Sequence, residues 1–87
     1  MEVQLLTPTK AVHKGTAKHV NAPGINGYMG ILPGHAALVS ELKPGLLKIE
    51  GEGADATKTF DITGGFLEVV SDKVTILVES ANPVSLQ

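Results

Sequence analysis

The chain has 87 residues, an apolar fraction of 43%, no cysteine and a formal net charge of −2. Such a length fits one domain, and the lack of cysteine excludes a disulfide-stapled module, a thiolate zinc site and a thiol nucleophile. There is no arginine, which disfavours nucleic-acid binding, and no apolar run reaches the roughly 20 residues of a membrane-spanning helix.

The N-terminal half alternates apolar and polar residues over short runs, which is the pattern of β-strands. Strands are predicted over residues 2–7, 10–14, 16–22 and 28–32, with a turn at Gly15 between the second and the third. Residues 35–42 fit either one helical turn or an extended segment, and their short length favours the extended form.

Glycine and proline are concentrated between Ala22 and His35, where the pairs Pro23-Gly24 and Pro33-Gly34 bracket a short apolar piece. Proline presets φ for the first central residue of a turn, and glycine accepts the positive φ that a type II turn needs next. A turn is therefore predicted at each pair, with a third at Pro44-Gly45. The prolines of these three pairs fall about ten residues apart, which is typical of the strand and turn spacing in a small all-β domain.

The C-terminal half continues the strand pattern. Strands are predicted over residues 46–50, 58–63, 66–70 and 74–79, and Asn82-Pro83 is predicted to end the last one. The small acidic segment 51–56 is predicted to be a solvated hairpin tip. Gly64-Gly65 is predicted to form a bulge or tight turn that lets two sheets approach closely, with backbone access for a partner as the alternative.

The core is predicted to consist of valine, isoleucine and leucine, because only three residues are aromatic. The pairs Leu46-Leu47 and Phe66-Leu67 are assigned to this core. Several strands are apolar on both faces and therefore belong in a stack of two layers, and no apolar residues repeat at helical spacing. The residues predict an all-β fold, a β-sandwich of roughly eight to ten short strands.

No group of residues has the spacing of a catalytic or metal site. The glycines between Gly24 and Gly30 suggest a phosphate-binding loop, but no helix follows them and they enclose no lysine. His13, His19 and His35 match no compact ligand motif and are predicted to be solvated or interface residues. No serine has the setting of a nucleophile elbow. The residues alone therefore predict an interaction module without a cofactor.

Four ordered blocks of sequence carry a resemblance to a known family. They are Ala-Pro-Gly-x-x-Gly-x-x-Gly-Ile-Leu-Pro-Gly-His over residues 22–35, Leu-Lys-Pro-Gly over 42–45, Gly-Gly-Phe-Leu-Glu-Val over 64–69 and Lys-Val-Thr-Ile-Leu-Val over 73–78. The protein resembles the epsilon subunit of F-type ATP synthases from Val3 to about Ala81. The resemblance implies a flattened β-sandwich of about ten short strands, as a single domain over residues 1–87.

The resemblance also implies a function. The family's epsilon subunit is a non-catalytic rotor subunit of the central stalk, which links the gamma subunit to the c-ring and couples ion translocation to ATP synthesis. The expected location is peripheral, on the cytoplasmic face of the bacterial inner membrane, as part of the ATP synthase. The expected partners are gamma and the loops of the c-ring, with no nucleic acid, no direct membrane insertion and no cofactor.

Family contacts carry over onto particular positions of this sequence. The c-ring positions are Asn26, Gly27, Tyr28 and Met29, and the gamma positions are Thr7, His35 and Ser40. The family often has an acidic residue where this sequence has Tyr28, so that contact is expected to be made differently here. No residue is expected to be catalytic, to hold a cofactor or to bind a metal.

Most family members continue after the sandwich as a helical hairpin that inhibits ATP hydrolysis. If the natural chain ends at Gln87, the resemblance implies that this hairpin and its inhibition are absent. The alternative function is a stand-alone ligand-binding β-sandwich, such as a carbohydrate module. Such modules usually display exposed aromatic side chains that stack on sugars, and this protein has three aromatic residues and no tryptophan. A small hydrolase would need a nucleophile–base pair that the sequence does not offer.

Overall fold

The computed structural model describes residues 1–85 and contains nine β-strands. They are β1 (Glu2–Leu6), β2 (Ala11–Gly24), β3 (Gly27–Ile31), β4 (Leu38–Leu42), β5 (Gly45–Gly51), β6 (Lys58–Ile62), β7 (Gly65–Val70), β8 (Lys73–Val78) and β9 (Ala81–Val84). Nothing in the described part of the protein is a helix long and apolar enough to cross a membrane. The expectation about the end of the sequence concerns Gln87, which lies outside the described residues.

The predicted strands are confirmed, with one difference in the N-terminal half. Residues 10–14 and 16–22 were predicted as two strands, but they belong to the single 14-residue strand β2. The predicted turn at Gly15 is wrong, because this glycine is extended and pairs with Val3 of β1. For residues 35–42 the extended alternative is confirmed, since β4 occupies their second half.

Strand β9 is an addition that the sequence did not predict. Asn82-Pro83 was expected to end the preceding strand, but both residues lie inside β9, which pairs antiparallel with β6. Within residues 1–85, β9 has β6 as its one neighbour and so forms an edge of the sheet. An edge strand tolerates proline, because a missing N–H can face solvent there.

The strands form one sheet that folds over itself into two layers. The first layer contains β1, β8, β7 and β4, and the second contains β3, β2, β5, β6 and β9. Strand β2 joins the layers at both of its ends, since its first half pairs with β1 and its last residue, Gly24, pairs with Leu42 of β4. The middle of β2 pairs with β5. The predicted all-β sandwich is confirmed.

The outline of the domain is close to isometric rather than flattened. The described residues measure 27 × 26 × 25 Å along their principal axes. The crossing of β2 between the layers explains this shape, because it closes the sheet on itself instead of leaving two flat sheets face to face.

The core lies between the two layers and consists mainly of branched aliphatic side chains, as predicted. Alternate residues of each strand point inward, so that Val74 and Ile76 of β8 face the interior from the first layer. Leu47 and Ile49 of β5 do the same from the second layer, and all four are buried. Phe60 is the one buried aromatic ring among the described residues.

The three Pro-Gly pairs behave differently from one another. Gly34 has a φ of +82°, which fits the turn predicted at Pro33-Gly34. The turn predicted at Pro23-Gly24 is wrong, because both residues are buried in β2 and the hairpin turns at residues 25–26. A Cβ on Gly24 would stand 2.7 Å from the carbonyl oxygen of Gly27. Pro44-Gly45 marks only a bend before β5.

Candidate interaction surfaces

The outer face of the first layer carries a band of exposed apolar side chains. The strand register places Leu6 of β1, Leu77 of β8 and Phe66 of β7 next to one another. Phe66 and Leu77 are 54% and 51% exposed. On the same side, Val39 of β4 is 71% exposed, and Val70 of β7 is also exposed. These five residues are called the apolar face below, and such a patch on a small domain indicates contact with another protein.

A groove of about 530 Å³ lies at one end of the apolar face. Its lining includes Phe66 and Leu77 from that face, Thr7 and Pro8 from the segment after β1, and the acidic residue Glu41 of β4. Apolar walls with a few polar groups are typical of binding clefts. The groove therefore extends the apolar face into a concave surface.

Gly64 and Gly65 line this groove, and both are explained by close approach within the sheet. A Cβ on Gly65 would collide with the backbone carbonyl oxygen of Leu77, and a Cβ on Gly64 would stand 3.0 Å from that of Leu42. Gly65 pairs in unbroken register with β4 and β8, so the bulge alternative is wrong. Gly64 lies at a bend in the two-residue connection between β6 and β7, which fits the turn alternative. The predicted close approach exists, but it joins neighbouring strands of one layer rather than two sheets.

Two residues that sequence reasoning assigned to the core lie on the surface. Leu47 and Leu67 are fully buried, but Leu46 is 43% exposed and Phe66 more than half exposed. Adjacent residues of a strand point to opposite faces, so the two members of each pair could not both face the interior. The sequence carried a signal for the apolar face, because Phe66 and Val70 alternate with the buried residues of β7.

The β2–β3 hairpin forms a second candidate surface. Asn26 and Gly27 lie at its tip and are exposed, and Gly27 has a φ of +130°, which glycine tolerates best. Tyr28 is 55% exposed, whereas Met29 is partly buried and packs against the core. Three of the four positions matched to the c-ring are therefore open to solvent.

The Tyr28 hydroxyl is already used inside the domain. It accepts a 3.1 Å hydrogen bond from the backbone N–H of Leu46 on β5. The paired residues of β2 and β5 end at Asn21 and Lys48, since β2 then leaves toward β4. The hydroxyl oxygen of Tyr28 therefore accepts the hydrogen bond from the Leu46 N–H in place of a backbone carbonyl of β2. A Cβ on Gly45 would stand 3.2 Å from this hydroxyl oxygen, so the glycine leaves room for the ring.

The structure places the three positions matched to gamma in different settings. Thr7 lines the groove and donates a 3.3 Å hydrogen bond from its hydroxyl to the carbonyl of Lys10. Ser40 pairs with the buried Leu67, so it lies on the inner side of β4 and is half-buried. His35 lies in the loop before β4, where its Nδ1 is 2.8 Å from its neighbour's carbonyl oxygen. Only Thr7 of the three lines the groove.

The outer face of the second layer carries polar side chains beside the exposed Leu46, and two of the polar side chains contact each other. His19 Nδ1 lies 2.9 Å from Glu50 Oε2 on the adjacent strand. The other ring nitrogen of His19 would be 2.8 Å from a Cβ on Gly30, so the ring lies against this glycine. Within residues 1–85, no three His, Cys, Asp or Glu side chains come together as metal ligands would.

His13 and the acidic loop meet at one end of β2. The His13 ring tilts against Phe60 with the ring centroids 5.9 Å apart. Burial lowers the pKa of His13, while the Asp55 carboxylate raises it and the Lys58 ammonium lowers it further. Asp55 Oδ2 accepts a 2.6 Å hydrogen bond from the backbone N–H of Thr16. The acidic segment is therefore bonded to β2 rather than being only a solvated tip.

Residues 1–84 match the family described as "ATP synthase, Delta/Epsilon chain, beta-sandwich domain". The chain belongs to this family. It is 48% identical over 80 residues to the ATP synthase epsilon chain of Koribacter versatilis, and the match covers 92% of this chain and 55% of that protein. The chain thus spans about half the length of this relative. The resemblance seen in the four sequence blocks is confirmed.

Two solved assemblies contain proteins of the same fold. One is a cryo-EM structure of the Euglena gracilis mitochondrial ATP synthase, OSCP/F1/c-ring in rotational state 1, with a TM-score of 0.81 and 28% identity over 93% of this chain and 51% of that chain. The other is a cryo-EM structure of the Tetrahymena thermophila mitochondrial ATP synthase, central stalk/c-ring, with a TM-score of 0.75 and 28% identity over 93% of this chain and 64% of that chain.

Proposed function

We propose that this chain is the β-sandwich part of an epsilon-type rotor subunit in an F-type ATP synthase. In this role it links the gamma subunit to the c-ring and couples ion translocation to ATP synthesis. The observation that carries the proposal is the 48% identity to the Koribacter versatilis ATP synthase epsilon chain over 92% of this chain. A stand-alone ligand-binding module is not favoured, since the relatives named above are all parts of ATP synthases.

The proposed role is non-catalytic. Support comes from the matched family, which is described as a beta-sandwich domain of the ATP synthase Delta/Epsilon chain. The location that goes with this role is peripheral, on the cytoplasmic face of the bacterial inner membrane, within the ATP synthase complex.

Gamma is proposed to bind the apolar face and its groove. Support comes from the exposure of Phe66 and Leu77 on adjacent strands and from Thr7, which matches a gamma position of the family and lines the groove. His35, in the loop before β4, and Ser40, on the inner side of β4, are proposed to contact gamma beside this surface rather than on it. A stable protein–protein interface buries about 1,200–2,000 Å² of surface in total. Burial of exposed apolar side chains would favour association with gamma, because each Å² of apolar surface removed from water lowers the free energy by about 25 cal/mol.

The loops of the c-ring are proposed to contact residues 26–29 at the tip of the β2–β3 hairpin. Support comes from the exposure of Asn26, Gly27 and Tyr28. The hydrogen bond from Leu46 to Tyr28 ties β3 to β5, which holds the hairpin in place. A contact surface that is already ordered loses less conformational entropy on binding.

The test of the gamma contact is co-purification of this protein with the gamma subunit. Phe66→Asp and Leu77→Asp should each abolish co-purification, because they place a charge in an apolar interface. Leu46→Asp is the matched control, since it changes an exposed leucine on the other layer and should leave binding intact. Circular dichroism confirms that each variant is folded. Failure of the unmodified protein to co-purify with gamma would contradict the proposed function.

The test of the c-ring contact is ATP-driven ion pumping by the assembled synthase in vesicles. Tyr28→Ala should lower the ions moved per ATP hydrolysed, because it removes both the exposed ring and its bond to Leu46. Asp61→Ala, which changes an exposed residue of β6, serves as the control and should pump normally. Equal coupling in both variants would argue against a role for the hairpin.

A further inference from the structure

Asn26 and Gly27 at the tip of the β2–β3 hairpin form the one Asn-Gly dipeptide in the sequence. Both residues are exposed. Gly27 has a φ of +130°, and apart from its two chain neighbours no residue has an atom within 4 Å of the place where its Cβ would stand. The peptide bond between them is therefore open to solvent.

We infer that this peptide is a site of spontaneous deamidation. The backbone nitrogen of Gly27 attacks the amide carbon, Cγ, of Asn26, and the new bond between them closes a succinimide ring. The bond from Cγ to the Asn26 amide nitrogen breaks, and ammonia leaves with the proton that the Gly27 nitrogen gives up. Water then adds to either ring carbonyl and breaks its bond to the ring nitrogen, which yields aspartate or isoaspartate. Water is the only co-reactant, and no atom is oxidised or reduced.

Two features of the turn favour this reaction. Glycine has no Cβ to hinder the approach of its nitrogen, and it adopts a wider range of backbone angles than other residues. The pair Gly24 and Gly27 is also the last pair of the β2–β3 ladder. Opening of the backbone costs least at the end of a ladder and at a loop tip, so the nitrogen can leave its place in the turn without unfolding of the domain.

The other two asparagines of the protein provide internal controls. Asn21 lies inside β2 and is paired with Gly30 of β3 on one side and Lys48 of β5 on the other. Asn82 precedes Pro83, whose nitrogen carries no hydrogen and so cannot close the same neutral ring. Neither position combines a backbone N–H on the next residue with a place at the open end of a strand ladder.

The products would alter the hairpin in two ways. Each conversion adds one negative charge to a protein whose formal net charge is −2, and isoaspartate also inserts a methylene group into the backbone of the turn. Both changes fall on Asn26, a proposed c-ring contact. The reaction itself does not depend on that contact, because it needs only the exposed turn.

The experiment is incubation of the purified full-length protein in mildly alkaline buffer. Mass spectrometry follows the peptide around each asparagine, and an isoaspartate-specific methyltransferase labels the isomerised product. Asn26 should convert about tenfold faster than Asn21, which equals about 1.4 kcal/mol in activation free energy, and Asn82 should stay unchanged. In Asn26→Gln, where one more methylene group prevents closure of the same five-membered ring, the signal at this position should be lost.

A parallel incubation in urea measures the same conversion in the unfolded protein. Conversion at Asn26 in the folded protein, at a rate well above that of Asn21, supports the inference. If Asn26 converts rapidly in urea but no faster than Asn21 in the folded protein, the turn protects the dipeptide and the inference is overturned.

Discussion

The two outer faces of the sandwich differ in whether their side chains make contacts with other residues of the domain. On the first layer, Phe66, Leu77 and Val39 are exposed and apolar. On the second layer, His19 contacts Glu50 across adjacent strands. The first face is therefore available to a partner, whereas part of the second stabilises the domain itself.

This difference separates two kinds of substitution. Changes on the apolar face should weaken the proposed binding of gamma and leave the free energy of unfolding nearly unchanged. Substitutions of exposed side chains usually change that free energy by no more than about 0.5 kcal/mol. Changes to the internal contacts of the second layer should lower the free energy of unfolding and leave gamma binding intact.

The largest expected effect comes from the inner side of the first layer. Leu67→Ala should lower the free energy of unfolding by about 2–5 kcal/mol, because it removes buried contacts and leaves a cavity. Phe66→Ala, one residue away on the outer side, should change it by less than about 1 kcal/mol. Urea unfolding measures both values. A large loss of stability in Phe66→Ala would mean that the apolar face belongs to the core.

A smaller loss is expected at the glycines. Gly65→Ala should destabilise the domain by about 1–3 kcal/mol, since its Cβ would collide with the Leu77 carbonyl and force β7 and β8 apart. Gly53→Ala is the control, because its site is open and only its positive φ opposes a side chain; about 1 kcal/mol is expected there. Thermal unfolding of both variants tests this, and equal losses would contradict the account of Gly65.

Tyr28→Phe should cost about 0.5–1.5 kcal/mol, the usual contribution of one hydrogen bond. The variant keeps the ring but leaves the Leu46 N–H without its acceptor. Amide hydrogen exchange provides a local measurement, since exchange at Leu46 should accelerate while exchange at Lys48 on the same strand changes little. Unchanged exchange at Leu46 would show that the hydroxyl does not hold β3 to β5.

The smallest effect is the pH dependence due to His13. Burial lowers the pKa of His13 in the folded state, so folding favours the neutral ring. This contribution is fully present above the pKa of the unfolded state, about 6.5, and is lost as the pH falls through the lower folded pKa. Urea unfolding between about pH 7 and pH 5 should show a smaller loss in His13→Gln than in the unmodified protein. A larger loss in the variant than in the unmodified protein would contradict the lowered pKa of His13 in the folded state.

Strand positions could be predicted from the sequence because alternation is a local property. Residues 74–79 show it clearly, and β8 begins within one residue of the expected start. Orientation was harder, since β7 is apolar on both sides and burial depends on what covers each side. Phe66 was therefore assigned to the core, although the structure leaves it exposed.

Pairing that depends on distant residues escaped prediction. Gly15 suggests a turn locally, but its partner Val3 keeps it extended within β2. Pro83 suggests a strand end, but it lies inside β9, which pairs with β6 and forms an edge of the sheet where proline is tolerated. The Tyr28 hydroxyl finds its donor 18 residues away. None of these relationships is visible in a window of a few residues.

Strand β2 has a mechanical consequence. It pairs with β1 and β4 of one layer and with β5 of the other, so the layers cannot slide past each other without shearing hydrogen bonds along a shared strand. A force applied to one layer passes into the other through the backbone rather than only through contacts between side chains. The sandwich should therefore yield as one unit under load, which the proposed rotor role would require.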